Sequence, residues 1–312
     1  MEAEVNQYGG SHMVMTNVMK EVKTRYVNMD TRFSQEFNHS NPVAIHTIEF
    51  PERIPNARSI SVTNVEVPLS FYNVSENLEN TTLTIIANPN TNPVRNPIVV
   101  PNGIYDATEL YAKIQYQINS IIPSLLLTIQ PSTTNPYASQ FVFTSSGSYT
   151  EIAIQFSVNT KGAVDKYNLK SKLGWTLGFR QVEYTLSGTA TTAHSEAMVD
   201  MNGPRYLYLA IDEFNNNAPQ STFVSMLPTS LLNRNILGRI SVESSQLTAT
   251  DQPSFGTIEI ANIYNGLLLS DTREYSDDID LQKMQVQLVD EYGRPVCLNG
   301  LDFSFTLAVK HT

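Results

Sequence analysis

The sequence predicts an all-β protein, and three observations support this prediction. Apolar and polar residues alternate in short runs from Pro42 onward, and the runs are bounded by Pro, Gly and Asn. Such alternation places one face of a strand against a core and the other face in solvent. Charged residues make up 16% of the chain, below the roughly 25% of typical soluble domains, so uncharged Asn, Ser, Thr and Gln must cover much of the surface.

Residues 301–309 give the clearest strand. Their odd-numbered positions are large and apolar, and their even-numbered positions are Asp, Ser, Thr and Ala. Two earlier runs repeat the pattern, and all three are interpreted as half-buried strands of antiparallel sheets. The apolar residues of the earlier runs are Ile152, Ile154, Phe156 and Val158 in one, and Met284, Val286 and Leu288 in the other.

Two further runs carry additional information. The apolar positions change parity at Thr63-Asn64, between Val62 and Val65, as one extra residue in the strand would cause. We therefore predict a β-bulge there. Residues 206–211 are apolar or aromatic on both faces, which fits either a strand with one face against a partner or a fully internal strand.

The chain divides into a predicted N-terminal arm, residues 1–40, and a β-sandwich body, residues 41–312. The arm contains several Met and scattered charges but no sustained periodicity. We interpret it as an assembly segment that becomes ordered on contact with neighbouring molecules.

One segment of the body departs from the β pattern. Asp106 is followed three residues later by Glu109, which is a capping signal, and four apolar residues then recur at helical spacing. This predicts one inserted helix near 106–121, and a second, weaker helix or turn is predicted at 164–173. The residues of the apolar stripe are Leu110, Ile114, Ile118 and Ile121.

No common catalytic or cofactor-binding signature occurs in the sequence. His194, Ser195 and Glu196 are triad-type residues, but a working triad converges from separate elements, so they are interpreted as a polar loop. The five histidines lack metal-ligand spacing, and His46 is interpreted as a strand residue. We predict no catalytic residue, no metal-binding or cofactor-binding residue, no cofactor and no enzyme activity. The histidines are His12, His39, His46, His194 and His311.

An acidic run and a single cysteine remain. The run is interpreted as a solvated acidic turn, with a cation bridging subunits as the alternative, although it lacks the order of a calcium-binding loop. Cys297 is the only cysteine, and its apolar neighbours indicate a small buried side chain. The acidic run comprises Asp271, Glu274, Asp277, Asp278 and Asp280.

Charge and hydropathy exclude two classes of partner. The formal net charge is −10, and no Lys/Arg-rich run is present, so we expect no direct nucleic-acid binding. No apolar stretch approaches the length that a membrane-spanning helix requires, so we expect no membrane span.

Several phrases of the sequence, taken in order, resemble the small jelly-roll capsid proteins, including the penton protein, of the nucleocytoplasmic large DNA viruses that infect algae and protists. The resemblance covers most of residues 24–309. Its phrases are YVNMDTRF at 26–33, GFR at 178–180, GPRYLYLAID at 203–212, LQKMQVQLVDEYG at 281–293 and LNGLDFSFTL at 298–307.

The resemblance implies a single jelly-roll β-sandwich and a structural role in a virion. It further implies a homopentamer at the five-fold vertices that contacts major capsid protein trimers and minor capsid proteins, with a vertex spike as an open question. Such a protein is assembled in the host cytoplasm. Two alternatives stay open: a cement protein beneath the major capsid trimers, and a jelly roll that binds host glycans on the virion surface.

Overall fold

A computed structural model describes residues 21–34, 45–165, 168–214, 223, 235–242 and 257–312. Two short 3-10 helices, at Thr31–Phe33 and Leu169–Ser171, accompany the strands and helices. The elements are β1 (Lys23–Asp30), β2 (Ile45–Pro68), β3 (Thr82–Ala87), β4 (Val94–Val99), α1 (Ala107–Ile121), β5 (Leu127–Pro131), β6 (Ala138–Phe143), β7 (Glu151–Gln155), α2 (Leu173–Thr176), β8 (Glu183–Ser187), β9 (Thr192–Met198), β10 (Tyr206–Asp212), β11 (Ile236–Ser241), β12 (Ile258–Asn262), β13 (Leu268–Ser270), β14 (Arg273–Val289) and β15 (Ser304–His311).

The described strands form three sheets. The largest has the order β1-β15-β2-β14-β10-β11-β13, with β12 added beside β2, and the two smaller sheets have the orders β4-β3-β7-β8 and β5-β6-β9. Neighbouring strands run antiparallel throughout. The curled antiparallel sheets and the small helical content confirm the all-β jelly-roll prediction.

The long strands β2 and β14 hold the largest sheet together. The N-terminal half of β2 pairs with β14, whereas its C-terminal half pairs with β15 on one side and β12 on the other. The sheet curls, and apolar side chains from β1, β2, β10, β11, β12, β13, β14 and β15 meet in one cluster, the first core. Burial of this apolar surface is the main force that stabilises the curled arrangement.

The register of the strands shows which residues of the sheet face the first core. Met29, Phe305, Val65 and Ala261 lie side by side across β1, β15, β2 and β12, and all four are buried in the first core. The predicted bulge is confirmed, because Thr306 pairs with Asn64 and the next residue, Leu307, pairs with Val62. The unpaired Thr63 lets Val62 and Val65 both face the core despite their odd spacing.

A second core forms from residues 74–193 and includes β3 to β9, α1 and α2. The predicted helix is confirmed as α1, with both hydrogen bonds of its capping box present. The Glu109 N–H donates to Asp106 Oδ1 at 2.7 Å, and the Asp106 N–H donates to Glu109 Oε2 at 3.3 Å. Leu110, Ile114 and Ile118 are buried as predicted, but Ile121 in the last turn is exposed.

The remaining strand predictions hold with small differences. Residues 152–158 and 284–288 bury their alternating apolar residues, as do 303–309, whereas Leu301 lies exposed in the turn before β15. Residues 206–211 lie in β10, whose two faces contact two different clusters of this chain. The fully internal strand is therefore the correct alternative. The weaker helix predicted at 164–173 is represented by the 3-10 helix at Leu169–Ser171, and α2 begins at Leu173.

Part of the predicted 1–40 arm is described. Residues 23–30 form β1, which pairs with β15 along its whole length and buries Met29. Residues 1–20 and 35–40 lie outside the described residues. The division into an arm and a 41–312 body, and the assembly role of the arm, stay predictions.

Candidate assembly surface and inter-core cleft

The triad-type residues 194–196 have separate hydrogen-bond partners. They lie in β9 and not in a polar loop, because β9 pairs with β6. Ser195 Oγ accepts from the Ser139 N–H and donates to the Ala197 carbonyl, whereas His194 Nδ1 lies 3.2 Å from Ser132 Oγ. Glu196 accepts hydrogen bonds from Tyr184. Each side chain is thus engaged with a different neighbour.

The acidic run is part of a strand and not a turn. Residues 273–280 belong to β14, and Asp278 and Asp280 form ion pairs with Arg58 and Arg53 of β2. The prediction of a solvated turn was wrong because the run lies alongside a strand that supplies compensating guanidinium groups. Within the described residues, no cluster of His, Cys, Asp or Glu suited to a metal ion is found.

Two other predicted positions are described. His46 lies in β2, as predicted, with its ring 6.0 Å from that of Phe303. Cys297 is half-buried and not a buried filler. Its neighbours Val296 and Leu298 enter the first core, and alternation turns Cys297 towards a surface cleft. The predicted histidines 12 and 39 lie outside the described residues.

The outer face of the β1-β15-β2-β12 sheet contains a row of polar, uncharged residues. Asn28, Thr306, Asn64 and Asn262 form one row across the four strands. The Thr306 hydroxyl donates to Asn28 Oδ1 at 2.9 Å, so the row is partly fixed by its own hydrogen bonds. Covering a neutral polar row with another protein costs less desolvation than covering charged side chains.

Exposed apolar side chains concentrate at the two opposite edges of this sheet. The first group, which we call the β1 patch, consists of Val22, Tyr26 and Phe33. The second group, the β12–β13 patch, lies on β12, β13 and the turn between them. The sheet has four strands and therefore three inter-strand spacings of about 4.8 Å, so β1 and β12 lie about 14 Å apart. The members of the second patch are Ile258, Ile260, Ile263, Tyr264 and Leu269.

The two patches have few unpaired charges around them. Beside the β1 patch, Arg25 pairs with Glu52 and Arg32 pairs with Asp30. In residues 257–270, which contain the β12–β13 patch, Glu259 is the one charged side chain. The sheet therefore has two unlike edges, each with exposed apolar side chains. Two unlike patches on one chain allow a head-to-tail contact between identical copies.

A cleft runs between the two cores where the chain crosses from one to the other. Asn73 fixes this crossing, since its Nδ2 donates to the carbonyls of Tyr105 and Met201 at 2.8 and 2.9 Å. The cleft consists of two cavities of about 350 and 630 Å³ that share Leu78 and Pro204. We call it the inter-core cleft.

The smaller cavity contains an unusual carboxyl group. Burial raises the pKa of Glu291, and the adjacent Asp290 carboxylate adds to this effect, against the lowering influence of its own backbone N–H, Arg294 and Arg205. Glu291 Oε2 is buried, and no donor among the described residues reaches it. An ionised carboxylate in this position is therefore destabilised relative to water.

This pKa shift predicts a pH-dependent stability. Because the pKa of Glu291 is raised in the fold, its favourable contribution is present below the unfolded pKa of about 4.3 and is lost as the pH rises through the folded pKa. We expect Glu291→Gln to be more stable than the unmodified protein at about pH 7, with the difference shrinking towards about pH 4. Urea unfolding across this range measures it.

The exposed Glu76→Gln serves as the control for this experiment, because Glu76 lies in the neighbouring cavity but on the surface. A Glu291→Gln advantage that is independent of pH, or one that grows as the pH falls, would contradict the assignment of an unfavourable buried carboxylate to Glu291.

No family model and no curated protein matches the chain. Solved structures that match the chain include that of the mavirus penton protein, with 9% sequence identity and a TM-score of 0.46, covering 92% of this chain and 99% of the mavirus chain. They also include the Sputnik virophage, with 14% identity and a TM-score of 0.39, covering 92% of this chain and 98% of the other.

At these levels of similarity, the function has to be inferred from the residues of this chain. Among the described residues, no helix has the length and hydrophobicity that crossing a bilayer requires.

Proposed function

We propose that this chain is a structural capsid protein of a virus and has no enzymatic role. Five copies form a closed ring at the five-fold vertices, contact the surrounding major and minor capsid proteins, and are assembled in the host cytoplasm. The single observation that carries the ring is the pair of unlike apolar patches at opposite edges of one sheet. The sequence phrases shared with small jelly-roll capsid proteins support the viral context.

Unlike patches favour a ring over a dimer. A two-fold dimer uses the same surface on both copies, whereas a contact between two different surfaces repeats from copy to copy and closes when the rotation divides a full turn. In the proposed ring, the β1 patch of each copy contacts the β12–β13 patch of the next. Both patches then lose their exposed apolar area.

Net charge imposes a constraint on this ring. Each copy carries a formal charge of −10, so five copies repel one another at long range. At physiological salt the repulsion is screened beyond about 8 Å. Apolar contacts must therefore provide the association, and the two patches meet this requirement.

We expect the double variant Ile260→Asp with Leu269→Asp to dissociate the ring. Each apolar side chain that is buried contributes about 1.5–3 kcal/mol, and two carboxylates in the contact add repulsion. The dissociation constant should rise at least about 100-fold. Native mass spectrometry over a dilution series measures this, with the unmodified protein giving five times 34.8 kDa.

Tyr116→Asp is the matched control, because Tyr116 is 69% exposed on α1 and lies outside both patches. It should leave the pentamer intact, and circular dichroism should show that all variants keep the β fold. A monomeric or dimeric unmodified protein at high concentration, in the presence of capsid partners, would contradict the ring.

Particle imaging tests the vertex position. Density for this chain at the five-fold axis supports the proposal, whereas density beneath the major capsid trimers supports the cement protein instead. We further propose that residues 1–20, together with the segment before β2, form the assembly arm that contacts neighbouring capsid proteins.

A further inference from the structure

Three aromatic rings line the smaller cavity of the inter-core cleft. Trp175 comes from the second core, whereas Tyr206 and Tyr292 come from the chain that surrounds the first core. All three side chains are half-buried. Each ring therefore combines a flat apolar surface with a polar atom at its edge, which is the combination that aromatic residues provide in binding sites.

Guanidinium groups hold these rings in place. The Arg180 guanidinium lies 3.9 Å from the centre of the Trp175 ring, and that of Arg294 lies 4.5 Å from the centre of the Tyr292 ring. Arg180 also donates to the Trp175 carbonyl at 2.9 Å. Cation–π contacts and hydrogen bonds of this kind preorganise the rings and lower the entropy that a ligand must remove on binding.

The two arginines that line the cavity are already paired. Arg205 lies 2.7 Å from Asp200, and Arg294 lies 2.7 Å from Asp290. Lys170 also lines the cavity, with its Nζ 5.8 Å from the centre of the Trp175 ring. A phosphate chain or a nucleic-acid backbone requires several cations that are free to neutralise it. Since one lysine remains beside the paired arginines, and Glu291 adds a carboxyl group, the cavity favours a neutral ligand over a polyanion.

Hydroxyl side chains lie beside the rings. Ser171 and Thr176 line the same cavity. Ser171 Oγ donates to the Asn168 carbonyl at 2.9 Å, which leaves its oxygen as an acceptor. Flat apolar rings beside hydroxyl groups are complementary to a pyranose ring, which presents C–H bonds on its faces and hydroxyl groups around its rim.

We propose that the inter-core cleft binds a neutral oligosaccharide. The smaller cavity, at about 350 Å³, lies within the range of roughly 300–1,000 Å³ typical of ligand sites. The adjoining cavity of about 630 Å³ continues past Phe71, Tyr72 and several Asn side chains. The cleft therefore offers space and uncharged polar groups for further sugar units. This proposal rests on the cleft alone and is independent of the proposed ring.

The chain has a single Trp, which provides a direct measurement. Because Trp175 lines the cavity, a change in tryptophan fluorescence reports occupancy of this site without a contribution from any other tryptophan. The full-length protein is first applied to a glycan array and then titrated with captured neutral oligosaccharides. Soluble hexasaccharides of β1,4-linked glucose and of β1,4-linked N-acetylglucosamine serve as defined probes, and hexagalacturonate serves as an acidic one.

We expect capture of at least one neutral oligosaccharide, with a saturable change in Trp175 emission. Tyr292→Ala should weaken this binding at least about tenfold, because one ring of the cavity is removed. Tyr116→Ala removes an exposed tyrosine outside the cleft and should bind as the unmodified protein does. Ser171→Ala removes a hydroxyl group of the cavity and should weaken binding even if Tyr292→Ala fails to fold.

Three outcomes would overturn the proposal. These are no capture on the array together with an unchanged Trp175 emission, preferential binding of hexagalacturonate, and binding that neither Tyr292→Ala nor Ser171→Ala affects. Particle placement and the pentamer mass are separate measurements, so failure of the oligosaccharide site leaves the proposed capsid function to be judged on its own.

Discussion

Replacing Arg273 with Met is expected to lower the free energy of unfolding by about 3–5 kcal/mol, because it leaves a buried carboxylate without its cation. Arg273 Nη1 lies 2.7 and 2.8 Å from the two carboxylate oxygens of Glu213 and donates to the Ile211 carbonyl at 2.8 Å. The side chains of Arg273 and Glu213 are 4% and 1% exposed. Water therefore cannot replace the lost partner without disrupting the first core.

Two controls separate this mechanism from the general effect of losing an arginine. Arg58→Met removes an ion pair with Asp278 whose side chains are 47% and 38% exposed, so it should cost less than about 1 kcal/mol. Adding Glu213→Gln to Arg273→Met should restore part of the loss, since no buried charge then remains. Urea denaturation gives all the values. A loss for Arg273→Met no larger than that for Arg58→Met would show that Glu213 is adequately solvated.

A second large effect is expected for Gly178→Ala, which should destabilise the second core by more than about 3 kcal/mol. Gly178 has φ +91, and a Cβ atom there would lie 2.1 Å from the Ala197 carbonyl oxygen. An unfavourable backbone conformation alone costs about 1–3 kcal/mol. The clash adds to this cost, because relieving it requires β9 to move away from the loop that carries Gly178. A hydrogen bond of 3.0 Å from the Ala197 N–H to the Gly178 carbonyl holds these two segments together.

The matched control is Gly147→Ala. Nothing lies within 4 Å of the position that its Cβ would occupy, and a strain-free Gly→Ala change raises stability by about 0.4–1 kcal/mol. Thermal unfolding followed by circular dichroism compares the two variants. If Gly178→Ala unfolds at the temperature of the unmodified protein, the close approach of these two backbone segments is not required for the fold.

Features that depend on neighbours along the chain could be predicted from the sequence. The capping box of α1 is formed by two residues three positions apart, and the bulge at Thr63 follows from a change of parity within one strand. Helical and strand periods are local properties, so Leu110, Ile114 and Ile118 were correctly predicted to be buried. Exposed Ile121 and Leu301 mark the ends of such patterns, where the element stops and the face is no longer defined.

Features that depend on pairing between distant strands were not predictable in the same way. The acidic run was interpreted as a turn because nothing near it in sequence indicates Arg53 and Arg58, which lie more than 200 positions away. His194, Ser195 and Glu196 have separate partners because β9 pairs with β6. The Arg273–Glu213 pair likewise joins residues 60 positions apart.

The same distinction between local and long-range features applies to the candidate site. Alternation, turn residues and low charge determined an all-β chain with a neutral surface, since these properties are written in consecutive residues. Only the tertiary structure brought β1 and β12 to opposite edges of one sheet and Trp175, Tyr206 and Tyr292 to one cleft. The physical reason is that a local period fixes which face of a strand is buried, whereas the partner of that strand is chosen by packing of the whole chain.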